Sequence, residues 1–173
     1  MAYFIDLFSP ETYEVFSQSS RNVSGFRLRQ RNRAERVNPG DIFVCYLTRL
    51  SRWSGVLEVI AGPSINDTPV WSATDDPFVV RFRVKPVVWL SVEQAIPMHD
   101  DAVWSGLSFT RELAKGSSAW AAKVRGSLVR LSDSDGSFLV EMLTEQAERR
   151  KTFALSEQDQ QKLATRLSRA SFQ

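Results

Sequence analysis

The sequence predicts an α+β domain, with a β-barrel-like core and a helical C-terminal part. Three observations carry this. β-type runs bounded by turn residues fill the first half of the chain. The apolar period becomes helical from Ser117 onward. Strands come first and helices last, rather than alternating in βαβ units. The 173 residues fit one domain with a small appendage, drawn here as 1–148 with a helical extension over 149–173. A composition of 43% hydrophobic and 24% charged residues belongs to a globular chain.

Tyr3 to Phe8 reads as a strand. Pro10 then opens a helix where its missing N–H costs nothing, with Glu11 and Glu14 favoured by the dipole in the first turn. Asn38-Pro39-Gly40-Asp41 is a turn leading into the strand Ile42–Leu47. Thr48–Arg52 connects it to a second strand, Trp53–Ile60, closed by Gly62-Pro63. Phe78–Leu90 is the next strand. Its Arg81, Arg83 and Lys85 alternate with Val80, Phe82 and Val84, which predicts one charged and one apolar face. Ser91–Ile96 reads as a helical turn and Trp104–Thr110 as irregular. Trp120, Val124, Leu128 and Leu131 form a helical stripe, and Trp89 and Trp120 belong to the core. Ser132 with Asp135 and Ser156 with Asp159 resemble capping boxes of two further helices, the last bearing Leu163 and Leu167 on one face.

Several function classes fall away on composition. One cysteine leaves no internal disulfide and no multi-thiolate zinc site, and one histidine leaves no paired-histidine metal site. Cys45 alternates inside an apolar strand and reads as core. No Gly-x-Ser-x-Gly elbow, Walker loop or dinucleotide fingerprint occurs. Nuclease chemistry would want metal-binding carboxylates with a lysine or histidine. The carboxylate pairs Asp75-Asp76 and Asp133-x-Asp135 suit surface or capping roles, and His99 with Asp100 and Asp101 reads as a polar loop. The expectation is a non-enzymatic protein without cofactor or metal, cytoplasmic and not membrane-bound.

The net charge of +2 hides an uneven make-up: 17 of 22 basic residues are arginine. Arg21, Arg27, Arg29, Arg31, Arg33 and Arg36 cluster in one stretch opposed only by Glu35, and Arg49 and Arg52 follow. Guanidinium forks suit phosphate, although a solvated basic face would look the same in sequence. Phe26 stands beside this run, Trp53 where the arginine-bearing connection enters a strand, and Trp71 in a polar segment. Aromatic faces beside guanidinium groups suit a flat base stacked between flanking phosphates, with ordinary core packing as the competing reading.

The order of these features resembles the EVE domain of the PUA-like superfamily, related to YTH domains. The resemblance rests on Tyr3-Phe4-Ile5-Asp6, Ser24-Gly25-Phe26, and the run from Asn38-Pro39-Gly40-Asp41 to Tyr46. Trp53-Ser54-Gly55-Val56-Leu57-Glu58-Val59, Pro77–Lys85 and Leu107-Ser108-Phe109 complete it, over roughly residues 2 to 130. It implies a strongly curved β-barrel flanked by helices. It also implies capture of a modified base, methylated or hydroxymethylated cytosine or methyladenine, in a pocket of Phe26, Trp53 and Trp71, with Ser9 and Thr12 at the base edge. Phe26 stands where relatives usually carry tryptophan. Such domains commonly accompany modification-dependent restriction or anti-phage systems. The expected partner is nucleic acid, DNA ahead of RNA, with any cutting done by a separate nuclease or effector chain. Arg21, Arg27, Arg29, Arg31, Arg33, Arg36, Arg49 and Arg52 are the expected phosphate contacts. A protein-interaction adaptor with a vestigial pocket is the alternative, and a small hydrolase built on His99 a third reading.

Overall fold

The computed structural model describes residues 1–72 and 76–170, with side chains through 164. The strands are β1 (Tyr3–Phe8), β2 (Val23–Phe26), β3 (Ile42–Leu47), β4 (Arg52–Ile65), β5 (Val80–Trp89), β6 (Ile96–Pro97) and β7 (Arg130–Leu131). They form one sheet in the order β2-β5-β4-β3-β1-β7, with β6 on β4. β1 and β3 run parallel, and the remaining pairs are antiparallel. The sheet curls into a half-barrel flanked by helices. Register shifts at Val56/Leu57, Val59/Ala61 and Ala61/Ser64 between β4 and β5 supply bends of the kind β-bulges introduce. At the open side, β1 and β2 share no ladder; the Ser24 hydroxyl of β2 instead donates to the Asp6 carboxylate of β1 at 2.5 Å.

Both faces of the curl are covered, which is why all six residues of β3 are buried. Phe43, Cys45 and Leu47 face the interior with Phe4, Phe8, Leu57 and Phe82. Tyr13 and Phe16 of α1 (Pro10–Gln18) close that interior. Ile42, Val44 and Tyr46 face the other way. There they meet Val103 of α3 (Asp101–Gly106) and Leu139 and Leu143 of α4 (Asp133–Arg149). A short helix, α2 (Arg31–Ala34), follows a 3-10 turn at Leu28–Gln30, and α5 (Glu157–Ala170) ends the described chain.

Several expectations change in detail. β4 continues through Gly62-Pro63 to Ile65, because Gly62 adopts φ +118° and the irregular register absorbs the extra residues. Trp104 lies in α3 rather than in irregular chain. The stripe from Trp120 to Leu131 is not one helix: a 3-10 segment ends at Val124, Leu128 takes φ +62°, and Leu131 sits in β7. The β1 backbone draws this stretch into pairing, with Ile5 donating to the Val129 carbonyl at 2.9 Å. Trp120 is only half-buried, and Trp89 half-buried with its indole N–H on Ser17. Arg81 leaves the charged face of β5 and is buried, while Arg83 and Lys85 stay exposed. Ser132 caps α4 but its Asp135 partner turns away to Ser108, whereas Ser156 and Asp159 make both bonds of a capping box. Leu163 packs against the barrel interior; the side chain of Leu167 and all of Asp75 lie outside the described residues.

Candidate nucleic-acid interface

The cleft opens where the half-barrel fails to close, between the C-terminal end of β1 and β2. Its outer chamber measures about 220 Å³. Leu7, Ser9 and Thr12 form one wall, Gly25, Phe26 and Phe78 the other, and Arg27, Arg29, Gln30 and Arg125–Ser127 the rim. An inner chamber shares Leu7, Thr12, Gly25 and Phe78 with it and adds Asp6, Ser24 and Trp71. At about 20 Å³ this inner space suits one water.

Trp71 is held in place by a buried ion pair that sequence reading assigned to the surface. Asp76 accepts from the amides of Val70 (2.7 Å), Trp71 (2.8 Å) and Phe78 (2.9 Å), and lies 3.5 Å from the Arg81 guanidinium. Burial raises the Asp76 pKa, but the three amides and Arg81 outweigh it, so the carboxyl stays below its ordinary range. Arg81 also stands over the Trp71 ring at 5.5 Å, and Arg27 over Phe78 at 5.3 Å. Trp71 meets Phe78 edge-on at 5.8 Å.

Gly25 lets Trp71 settle there, since a Cβ at this position would come within 2.4 Å of the indole. Gly25→Ala is therefore expected to displace Trp71 and lower stability by about 1–3 kcal/mol. A urea melt with tryptophan emission checks this: an unchanged midpoint and spectrum would mean that the indole does not rest on Gly25.

The five residues expected around the base separate. Ser9, Thr12 and Trp71 line the two chambers, and Phe26 lines the outer one with a ring that is itself core, packed on Phe43 and Phe82 at 2% exposure. Ser9 and Thr12 already share a capping box, Ser9 Oγ accepting from the Thr12 amide and Thr12 Oγ1 from the Ser9 amide. Trp53 is in another part of the molecule. Between Cys45↔Gly55 and Tyr46↔Trp53 the register slips by one residue, leaving Ser54 as a bulge. Simple alternation would have put Trp53 on the interior face with Leu57. The bulge turns it to the opposite face, fully buried against Tyr46 and with no partner for its indole N–H among the described residues. Phe78, counted in sequence only as the start of a strand, takes the place of an aromatic wall.

The arginines separate in the same way. Arg27 and Arg29 are exposed at the cleft rim. Arg33 joins Arg29 and Arg125 along an adjoining groove, and reaches the Ser127 carbonyl at 3.3 Å. Arg31 pairs with Glu35 on the surface, and Arg36 is exposed away from both chambers. Arg21 bonds the end of α1 through the Ser17 carbonyl, and Arg49 pairs with Glu11 at 3.1 Å. Arg52 is buried and donates to the carbonyls of Val92, Phe153 and Ala154. Arg125, which stands apart from the arginine cluster in sequence, is brought to the rim by the pairing of residues 127–129 with β1, where the Leu7 amide donates to Ser127 Oγ and Leu128 to the Ile5 carbonyl.

The carboxylates near His99 have structural partners. Asp100 caps α3 through the Ala102 and Val103 amides, Asp101 pairs with Lys115, and the exposed His99 ring stacks on Trp104 at 5.0 Å. Among the described residues no group of three or more metal-binding side chains occurs, and no helix is long and apolar enough to cross a membrane.

No protein-family model matches the chain, and no curated protein matches its sequence. Solved structures do match its fold. The Mmi1 YTH domain in complex with RNA superposes with a TM-score of 0.58 at 14% identity, over 89% of this chain and 84% of that one. The Pho92 YTH domain in complex with m6A gives 0.58 at 15% identity, over 83% of each chain. The Toxoplasma CPSF4 YTH domain in complex with a 7-mer m6A-modified RNA gives 0.56 at 13% identity, over 83% and 91%. At such identities the likeness is one of fold: this chain has the half-barrel seen in YTH domains.

Proposed function

We propose that the chain is a non-enzymatic reader that captures one modified base of a single-stranded nucleic acid in the cleft between β1 and β2. The carrying observation is the arrangement of that cleft, in which Phe26 and Phe78 line the outer chamber beneath a rim of Arg27, Arg29 and Arg125, and Trp71 lines the inner chamber behind it. An outer chamber of about 220 Å³ is below the roughly 300–1,000 Å³ of pockets for drug-sized ligands, so it suits one base. Stacking supplies sequence-tolerant affinity and the arginines neutralise flanking phosphates. Fold neighbours solved with RNA and with m6A make N6-methyladenine in RNA the first ligand to test, ahead of the DNA bases that the EVE resemblance suggests.

The test is fluorescence anisotropy with matched single-stranded 7-mers at two salt concentrations. The RNAs carry adenosine or N6-methyladenosine, and the DNAs carry cytosine, 5-methylcytosine or 5-hydroxymethylcytosine. One methyl in an apolar niche is worth about 0.8 kcal/mol, so a preference of roughly fourfold or more is expected for one modified strand. Salt-sensitive binding without any preference would reduce the protein to a general nucleic-acid binder. Absence of binding to every strand would favour the adaptor reading.

A further inference from the structure

Asp6 is out of place in the strand that carries it. It follows Phe4 and precedes Phe8 on the interior face of β1, is 1% exposed, and lines the inner chamber beside Trp71 and Phe78. Its single hydrogen-bond partner among the described residues is the Ser24 hydroxyl on Oδ2, and no cation pairs with it there. A buried carboxylate without a counter-ion is costly, and the link to Ser24 that joins β1 to β2 uses only one of its two oxygens. Oδ1, unpartnered among the described residues, belongs to a side chain that forms the chamber wall.

We propose that the Asp6 carboxyl is the specificity-determining group of the cleft, reading the edge of the captured base with one donated and one accepted hydrogen bond. The inference rests on the base-capture reading above and adds the chemistry of selection. A neutral carboxylic acid offers an O–H beside a C=O, with Ser24 occupying only one lone pair of Oδ2. That pair matches an exocyclic N–H next to an unprotonated ring nitrogen. A singly methylated amino group still has its N–H, whereas a doubly methylated one has lost it and would leave the buried oxygen unpaired.

The surroundings favour the neutral acid. Burial pushes the Asp6 pKa up to about 7, with the Ser24 hydrogen bond opposing. Cys45, its neighbour on β3, is also buried, its thiol pushed well above the ordinary range by burial and by Asp6. The cations around the chambers, Arg27, Arg29 and Arg125, lie on the rim. Asp76 and Arg81 pair with each other behind Trp71. The sign follows: the acid must be protonated to donate, so binding takes up a proton above about pH 7 and weakens as pH rises, approaching tenfold per unit.

The test measures Kd for 7-mer RNAs carrying adenosine, N6-methyladenosine or N6,N6-dimethyladenosine at pH 6.0 and 8.5, using wild type, Asp6→Asn and Asp6→Ala, each checked by circular dichroism. Wild type should bind the monomethyl strand at least about tenfold more weakly at pH 8.5 than at 6.0, and the dimethyl strand about tenfold more weakly than the monomethyl one. Asparagine presents the same donor and acceptor without a proton to lose, so the pH ratio of Asp6→Asn should fall to near one, while Asp6→Ala loses the preference. A flat wild-type profile, or equal binding of mono- and dimethyl strands, overturns the role of Asp6 and needs no variant. If wild type at pH 6.0 shows no preference for the methylated strand, the base-capture reading fails and this inference with it.

Discussion

Trp71→Ala is expected to abolish discrimination between modified and plain strands and to weaken binding of the preferred strand by about 1–3 kcal/mol, roughly 5- to 150-fold. The reason is positional. Trp71 is half-buried, its backbone is clamped by Asp76, and its ring rests on Gly25 and Phe78 at the inner chamber, so it borders the deep end of the cleft while contributing little to the core. The melting temperature should therefore shift by only a few degrees while affinity drops. Trp53→Ala provides the contrast. Trp53 is wholly buried on the far face of the sheet, and its removal should cost about 3–5 kcal/mol of stability. Anisotropy and thermal melts on the two variants separate these effects; loss of selectivity in a folded Trp53 variant with Trp71→Ala unaffected would overturn the assignment of the aromatic wall.

Arg52→Ala and Arg29→Ala should diverge just as sharply, although both read as phosphate contacts in sequence. Arg52 joins β4 to the Val92 turn and to the Phe153–Ala154 segment through three carbonyls. Burial lowers its pKa, with the charges of Asp159 and Glu93 opposing. Removing the side chain leaves those carbonyls short of donors and frees the segment leading into α5, at a cost of about 2–3 kcal/mol. A urea melt should show this, with the salt dependence of nucleic-acid binding unchanged. Arg29 is exposed at the cleft, and its loss should leave the urea midpoint in place. It should weaken plain and modified strands alike and reduce the slope of log K against log salt by nearly one. A salt slope that falls for Arg52→Ala and not for Arg29→Ala would reverse the two roles.

The starts of α1, α4 and α5 were legible because such signals are local. Pro10, Ser132, and Ser156 with Asp159 act within one turn of chain, so residue type and spacing suffice, whereas the cap of α3 at Asp100 was read as loop. β1, β3, β4 and β5 were legible from their apolar runs, whereas the short β2, β6 and β7 were not; Leu7 and the Arg27–Arg29 pair come to the cleft from segments already marked as strand and arginine cluster, and Gly25 from the unmarked β2. Phe78 and Arg125 were not visible as site residues. One belongs to a loop whose shape depends on the buried Asp76–Arg81 pair, and the other to a stretch with helical spacing that β1 pulls into strand pairing.

By itself the sequence determined the class of the fold, the order of strands before helices, and the concentration of arginine and aromatic side chains near the first strands. Those properties follow from period, turn chemistry and composition, which act over a few residues. Only the tertiary structure decided which aromatic rings meet at the cleft and which arginines remain there. A single bulge at Ser54 moves Trp53 to the opposite face of the sheet, and three backbone carbonyls from distant segments take the Arg52 guanidinium. The side on which a strand residue emerges depends on register with its partner, and the partners of a guanidinium depend on which carbonyls the chain leaves unpaired nearby. Neither is a property of the local sequence.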